Sequence, residues 1–242
     1  LTVTQIAVTG ASNSSVAGSS TYNSNGTSKT GTYGTLVIGA NGTYTYVADQ
    51  SAADDLDAGD TATDSFTYTV SDGTATDTAT LIITVTGVND DPVGVNDTGY
   101  IKEGGTLTVA NSAAANSGTS TGNHTGDMTD NDTDADASST ATITSITATT
   151  ASGSAQTTFS SNSETVTGSY GTLTINSNGS YSYAANSNIS GLDAGDANIT
   201  DVFTYIVSDG TATSTATLTI NIIASQDLTA RNDTGTVNED AT

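Results

Sequence analysis

The side chains in this sequence that could do chemistry are almost all carboxylates, and they are gathered. Acidic residues concentrate in residues 54–64, 90–97, 103, 127–136, 193–201, 227–233 and 239–240, while the stretches between carry almost none. Two carboxylates about 4 Å apart repel by about 4 kcal/mol at an effective dielectric near 20. An acidic surface spread evenly serves solubility; acids gathered at recurring points call for a cation. Calcium fits best, because it accepts about 6–8 oxygen ligands in flexible geometry, including carboxylates, carbonyls and Asn amides. Zinc is disfavoured by the absence of Cys and a single His. Magnesium keeps more of its own water. In residues 129–138, TDNDTDADAS, the acids Asp132, Asp134 and Asp136 alternate, so an extended loop can turn their oxygens to one centre. The run lacks the Gly and the terminal Glu of an EF-hand loop.

Other chemistry finds little support. His124 and Met128 stand in an acidic, Gly-rich stretch with no recognisable nucleophile elbow, and a catalytic His needs a nucleophile and an orienting partner. A glycosidase pair of carboxylates would be unique, whereas these clusters recur. No enzyme is expected.

Asp and Glu number 26 against three Lys and Arg (Lys29, Lys102 and Arg231), a formal charge of -23. Nucleic acid and anionic membrane surfaces are therefore poor partners. With no Cys there are no disulfides, and with 5% aromatics and no Trp the core is thin. A thin core needs another staple, and bound metal is the candidate. No apolar run approaches the roughly 20 residues of a membrane helix. The chain starts at Leu1 with no visible signal peptide and reads as an internal excerpt of something longer. Asn-X-Ser/Thr triplets at Asn13, Asn25, Asn41, Asn178 and Asn188 are glycosylation acceptors in form, though many arise by chance in a chain so rich in Ser, Thr and Asn.

The elements that must position the acids repeat. Tyr33 aligns with Tyr170, Phe66 with Phe203 and Asp72 with Asp209; Asn96-Asp97-Thr98-Gly99 aligns with Asn232-Asp233-Thr234-Gly235, and Glu103 with Glu239. The period-two alternation of LVIGANGTYTYVA, SFTYTVSDG and TATLIITVTGV is strand-like. Asn41-Gly42, Asn178-Gly179, Asp72-Gly73 and Asp209-Gly210 lie where hairpin turns need positive φ. The fold class expected is all-β: tandem antiparallel β-sandwich domains of cadherin/Ig-like type in a linear array. Inward-facing residues should include Leu36, Ile38, Tyr44, Tyr46, Phe66, Tyr68, Val70, Leu81, Ile83 and Val85, with counterparts in the second copy. The expected organisation is a partial repeat lacking its first strand (1–88), a calcium-binding linker (89–97), a complete repeat (98–225), and a linker with the start of a third repeat (226–242).

The ordered pieces YGTL, NGTYTY, LDAGDTATDSFTYTVSDG, VTGVNDDP, NDTGYIKEGGTLTV and NDTDADASSTATITSI carry a resemblance. Together they resemble VCBS-type repeats, the bacterial cadherin-like modules of large RTX-type surface adhesins. The resemblance implies calcium at the joints, with ligands from the preceding domain, the linker and the following domain. Carried over, these are Asp57, Asp60 and Asp64; Asn89, Asp90, Asp91 and Asp97; and Glu103, Asp132, Asp134, Asp136 and Asp209. Asp72 would serve an earlier joint. A second joint would use Asp193, Asp196, Asp201, Asp227, Asp233 and Glu239. Two departures stand out: Ser225-Gln226-Asp227-Leu228 replaces Asn-Asp-Asp-Pro at the second joint, and Gly87 replaces the first Asp of the cadherin linker pattern.

The expected role is structural: a secreted, cell-surface extender, stiffened by Ca2+, within a giant adhesin that serves cell adhesion, biofilm or matrix attachment. Its partners would be neighbouring repeats. Two rivals are a self-assembling filament subunit that exchanges strands with copies of itself, and a carbohydrate-binding module for surface glycans.

Overall fold

A computed structural model describes residues 1–111, 126–136, 138–149, 157–159, 161–187 and 189–225. It is nearly all-β and divides into two compact units. Unit 1 comprises Leu1–Val93, Thr133–Ala141 and Asp209–Thr213; unit 2 comprises Gly94–Asp132, Thr142–Ser208 and Ser214–Thr242.

Unit 1 holds strands β1 (Thr2–Val8), β2 (Ser14–Ser15), β3 (Thr27–Thr30), β4 (Thr35–Ile38), β5 (Tyr44–Val47), β6 (Thr61–Ser71) and β7 (Thr76–Thr86), with a four-residue helical turn at Ser51–Asp54. One sheet runs β2-β1-β6-β7 and the other β3-β4-β5. Thr, Val, Ile and Tyr dominate these strands because their branched or flat side chains suit a pleated, half-buried surface. The core gathers Val3, Ile6, Val16, Leu36, Ile38, Ala40 and Phe66; Tyr46, Tyr68, Val70, Leu81 and Ile83 pack against it, half-buried. The rings of Tyr46 and Phe66 meet edge to face at 6.3 Å, a favoured aromatic geometry.

One expected core residue is not enclosed. Tyr44 is 48% exposed, because β5 is the end strand of its sheet and, among the described residues, no strand is paired beyond it.

Unit 2 holds β8 (Asp97–Lys102), β9 (Thr106–Val109), β10 (Thr142–Ala148), β11 (Thr157–Thr158), β12 (Ser163–Thr167), β13 (Gly171–Asn176), β14 (Tyr181–Ala185), β15 (Ile199–Ser208) and β16 (Thr213–Ile223). Its sheets run β11-β10-β15-β16-β8 and β12-β13-β14-β9. Here β14 is covered by antiparallel β9, and β16 by β8, which runs parallel to it. The counterpart of Tyr44, Tyr181, is only 2% exposed. Both units carry the same irregularity in register, between Val3 and Gln5 in β1 and between Ile143 and Ser145 in β10.

The last hairpin of each copy turns at a glycine with positive φ, Gly73 at +94° and Gly210 at +100°. Glycine reaches that conformation without the steric penalty a Cβ brings. The preceding Asp closes the turn: Asp72 Oδ1 accepts from the backbone N–H groups of Thr74 and Ala75, both at 2.8 Å.

Candidate metal-binding sites

The acids expected to hold calcium divide by what their oxygens already do. The oxygens of Asp64 and Asp201 are engaged by hydrogen-bond donors of the fold. Asp64 sits buried in β6 and accepts hydrogen bonds from the backbone N–H of Thr32 (2.8 Å), Tyr33 (3.1 Å) and Gly34 (3.2 Å) and from the Tyr46 hydroxyl (2.7 Å). Asp201 repeats this in β15 with Ser169 N–H (2.8 Å), Tyr170 N–H (3.0 Å) and the Tyr183 hydroxyl (2.6 Å). Loss of solvent pushes the Asp64 carboxyl up, but Tyr46 and the three backbone donors together hold it below the usual range. These carboxylates face donors, and a cation would have to displace them.

The flanking glycines explain the cradle. A Cβ on Gly31 would lie 2.2 Å from Asp64 Oδ2, and one on Gly34 would lie 2.2 Å from the Val47 carbonyl oxygen. Gly168 and Gly171 stand in the same relation to Asp201 and the Ala184 carbonyl.

In unit 1 a different set surrounds a cleft of about 340 Å³, whose lining includes Asp57, Asn89, Asp136 and Asp209. Asn89 Nδ2 donates to Asp209 Oδ2 at 2.9 Å and to the Asp90 carbonyl at 2.6 Å. Asp209 Oδ1 accepts from Thr211 N–H (2.6 Å) and Ala212 N–H (2.7 Å), and these bonds, with that from Asn89, lower its pKa. Asp90 N–H donates to Asp136 Oδ2 at 3.0 Å, and Asp136 N–H to Asp134 Oδ1 at 3.0 Å. Ser139 Oγ donates to Asp134 Oδ2 at 2.7 Å, and Ser138 donates to Asp57 through both its N–H and its hydroxyl.

Asp136 is the odd member. It is buried, and its Oδ1 has no hydrogen-bond partner. Loss of solvent raises its pKa, and the nearby carboxylates Asp134, Asp90 and Asp57 push the same way against the Asp90 N–H.

Unit 2 has a counterpart around Asp132. Asp132 Oδ1 accepts from Val95 N–H at 2.7 Å, while its Oδ2 and the neighbouring Asn131 Oδ1 are buried without partners. Burial raises the Asp132 pKa, and Asp127 adds to it. Asp127 is fully buried, with its Oδ1 held by Thr129 through N–H (2.8 Å) and hydroxyl (2.9 Å). Sequence reasoning placed Asp127 in an acidic cluster but not in the ligand set. Asp97, also buried, accepts at Oδ2 from the Tyr205 hydroxyl at 2.8 Å.

Glu103 has partners of its own within unit 2. It follows β8, and its N–H donates to the Ile223 carbonyl at the end of β16 (3.0 Å). Its carboxylate is buried, accepting from Ile189 N–H and from Ser225 Oγ (3.2 Å). That places it at the strand end beyond which the second linker begins in sequence. Asp193 and Asp196 form an exposed turn nearby in sequence to Ile189, with Asp193 N–H on Asp196 Oδ2 at 2.8 Å. Asp60, Asp72 and Asp91 are exposed. Asp227, Asp233 and Glu239 lie outside the described residues.

Among the described residues, no group of three or more His, Cys, Asp or Glu side chains stands ready in metal-ligand geometry. The donor chemistry nevertheless suits a hard cation. The residues at the loop are oxygen-bearing, and three of their buried oxygens, on Asn131, Asp132 and Asp136, lack any donor. Buried acceptors left without a partner cost free energy, and a cation satisfies them.

A family model for the bacterial cadherin-like domain matches residues 1–87 and again 89–224. No curated protein matches the chain. Among solved structures, the chain is similar to protocadherin gamma B2 extracellular cadherin domains 1–5, with 13% identity, 96% of this chain and 41% of that chain covered, and a TM-score of 0.37. It is similar to a mouse clustered protocadherin structure, with 10% identity, coverages of 78% and 51%, and a TM-score of 0.33. It is also similar to an endo-fucoidan hydrolase of glycoside hydrolase family 107, with 21% identity, coverages of 82% and 23%, and a TM-score of 0.26. The chain thus spans between 23% and 51% of the length of these three.

Proposed function

The chain belongs to the bacterial cadherin-like domain family, and from that premise we propose that it is a calcium-stiffened extender segment of a large surface adhesin or fibre. Cadherin-like domains are extracellular adhesion-type modules, generally non-enzymatic and generally calcium-binding. Among the described residues no helix is long and apolar enough to cross a membrane. The observation that carries the reading is the loop at residues 131–136, where buried carboxylate and amide oxygens have no donors in a chain of charge -23.

In unit 1, Asp134 and Asp136, with Asn89, Asp90, Asp57 and Asp209, would hold an ion; in unit 2, Asp132, with Asn131 and Asp127, would hold another. Bound calcium would supply the positive charge that offsets the repulsion among these acids. The chain's own part is positional. The Asx turn at Asp209 and the serine bonds to Asp57 and Asp134 fix the carboxylates locally. Asn89 and Asp90 tie the linker to Asp209 and Asp136.

With ion bound, the linker loses freedom and tandem repeats behave as a stiff rod; without it, mobility between domains is the default. Ligand binding to the folded form alone also raises stability by mass action. Three Lys and Arg in the whole chain leave trypsin-like proteases few cleavage sites. A calorimetric calcium titration tests the reading: wild type should bind, and a chain carrying Asp132→Asn with Asp136→Asn should lose that binding while remaining folded. Equal binding by both would remove the loop from the site.

A further inference from the structure

Unit 2 contains a cleft of about 560 Å³ between the turn that joins β12 to β13 and the loop that follows β14, lined by Ser169, Tyr170, Asn186, Ser187, Ile189 and Ser190. Its volume falls within the roughly 300–1,000 Å³ of small-molecule sites. None of the six residues carries a charge, in a chain of formal charge -23. The walls are held from behind. Asp201 accepts from the backbone N–H groups of Ser169 (2.8 Å) and Tyr170 (3.0 Å), and Glu103 accepts from the Ile189 N–H. Asn186 N–H donates to the Tyr170 carbonyl (2.8 Å), and the Asn186 carbonyl accepts from Gly104 N–H (3.0 Å). The backbone is thus pinned on both sides, while among the described residues the side chains of Asn186, Ser187 and Ser190 have no hydrogen-bond partner.

Unit 1 treats the same place differently. Tyr33 stands where Tyr170 does, and Asp49 where Asn186 does. Asp49 Oδ1 accepts from Thr35 Oγ1 (3.0 Å) and from Gln50 Nε2 (2.7 Å), and the helical turn Ser51–Asp54 follows, with Asp54 and Asp55 adding two further charges. There the polar groups are engaged with one another and the place is acidic. Thr32, Asp49, Ser51 and Asp54 are nevertheless exposed with a whole repeat after them in the chain, so access to this place belongs to the repeat itself.

We propose that this cleft of unit 2 binds a neutral sugar unit of a polysaccharide, with Tyr170 against the apolar face of the ring and the Asn186 amide and the Ser187 and Ser190 hydroxyls on its rim. Tyrosine supplies a rigid, amphipathic contact at low entropic cost, and Ser and Asn supply adaptable hydrogen bonds. A pyranose ring has the matching chemistry, a C–H face and a rim of hydroxyls that both donate and accept. An anionic ligand would meet the field of the Glu103 and Asp201 carboxylates behind the walls. A cationic one would find no carboxylate in the lining. The cleft makes no direct use of the oxygens proposed to hold calcium, so glycan contact is a second property of the segment and stands or falls separately from its stiffening.

Affinity electrophoresis of the full chain tests this, in gels containing dextran, mannan, galactan or hydroxyethyl cellulose, with carboxymethyl cellulose as the anionic comparison and calcium held constant. At least one neutral polymer should retard the wild type, and carboxymethyl cellulose should not. Tyr170→Ala and Asn186→Asp should each weaken the apparent affinity about tenfold or more, and Tyr33→Ala, at the matching place in unit 1, should leave it unchanged. Asn186→Asp installs the unit 1 residue and keeps the backbone bonds to Tyr170 and Gly104, so it decides the matter should Tyr170→Ala melt early. Retardation by none of the neutral polymers would overturn the proposal. So would retardation that Asn186→Asp leaves intact, an equal loss in Tyr33→Ala, or stronger retardation by carboxymethyl cellulose.

Discussion

Asp64 and Asp136 are both buried carboxylates in acidic stretches of the sequence, and their surroundings set them to opposite work. Asp64 receives four donors, so its negative charge stabilises the fold of unit 1. Its folded pKa lies below its ordinary value of 3.8. A depressed carboxylate contributes stability above the unfolded pKa and loses it as pH falls through the folded pKa. Thermal melts of wild type should therefore weaken below about pH 4. Asp64→Asn should cost about 1–3 kcal/mol at neutral pH, the loss expected when donors to a buried charged group are left mismatched, and should flatten the acid limb of the unit 1 transition. An unchanged acid limb in the variant would refute the assignment.

Asp136 behaves the other way, because three carboxylates face it and one oxygen has no donor. Asp136→Asn should raise the melting temperature in EDTA by relieving repulsion from Asp134, Asp90 and Asp57, while reducing the gain from added calcium. Differential scanning calorimetry in both conditions reads the two signs. A loss of stability in EDTA would count against the repulsion. The sequence did not distinguish these two acids, since each is one Asp among neighbours. The signal available for Asp64 was the repeated spacing of two glycines, a tyrosine and the Asp in both copies. No comparable local pattern marks the orphaned oxygen of Asp136, which depends on how the loop is buried.

At the scale of elements, the strands and their hairpins were legible because the chain writes them twice, with period-two apolar residues and glycines at the turns. Leu36, Ile38, Phe66 and Val85 are buried as their alternation requires. Tyr44 was not legible: its alternation is right, but enclosure depends on a covering strand distant in sequence, as in the other copy, where Tyr181 pairs with Val109. The partners of Glu103 were not legible either. Its neighbours in sequence are linker acids, whereas the parallel pairing of β8 with β16 carries it to Ile223 and Ser225. The cradle predicts a sharp glycine requirement. In Gly171→Ala, the new methyl would lie 2.5 Å from the Ala184 carbonyl oxygen and 2.4 Å from the Tyr183 ring. Forced overpacking of this kind costs about 1–3 kcal/mol, and urea unfolding should show a lower midpoint with the slope unchanged. A neutral substitution would mean that β13 and β14 yield at that point.

For the whole molecule, composition sets the problem that the proposed calcium would answer. A charge of -23 on 242 residues, no Cys and few aromatics leave a thin core and mutually repelling acids. The family assignment and the donor-free oxygens at residues 131–136 give the same direction from independent grounds. The measurement that tests this most directly is thermal unfolding of the full chain in EDTA and across a calcium series. Occupancy at a hundredfold excess over the dissociation constant is worth about 2.7 kcal/mol, so the melting temperature should climb by several degrees with calcium and magnesium at equal concentration should do far less. A melting temperature that is the same in EDTA and in millimolar calcium would contradict the account.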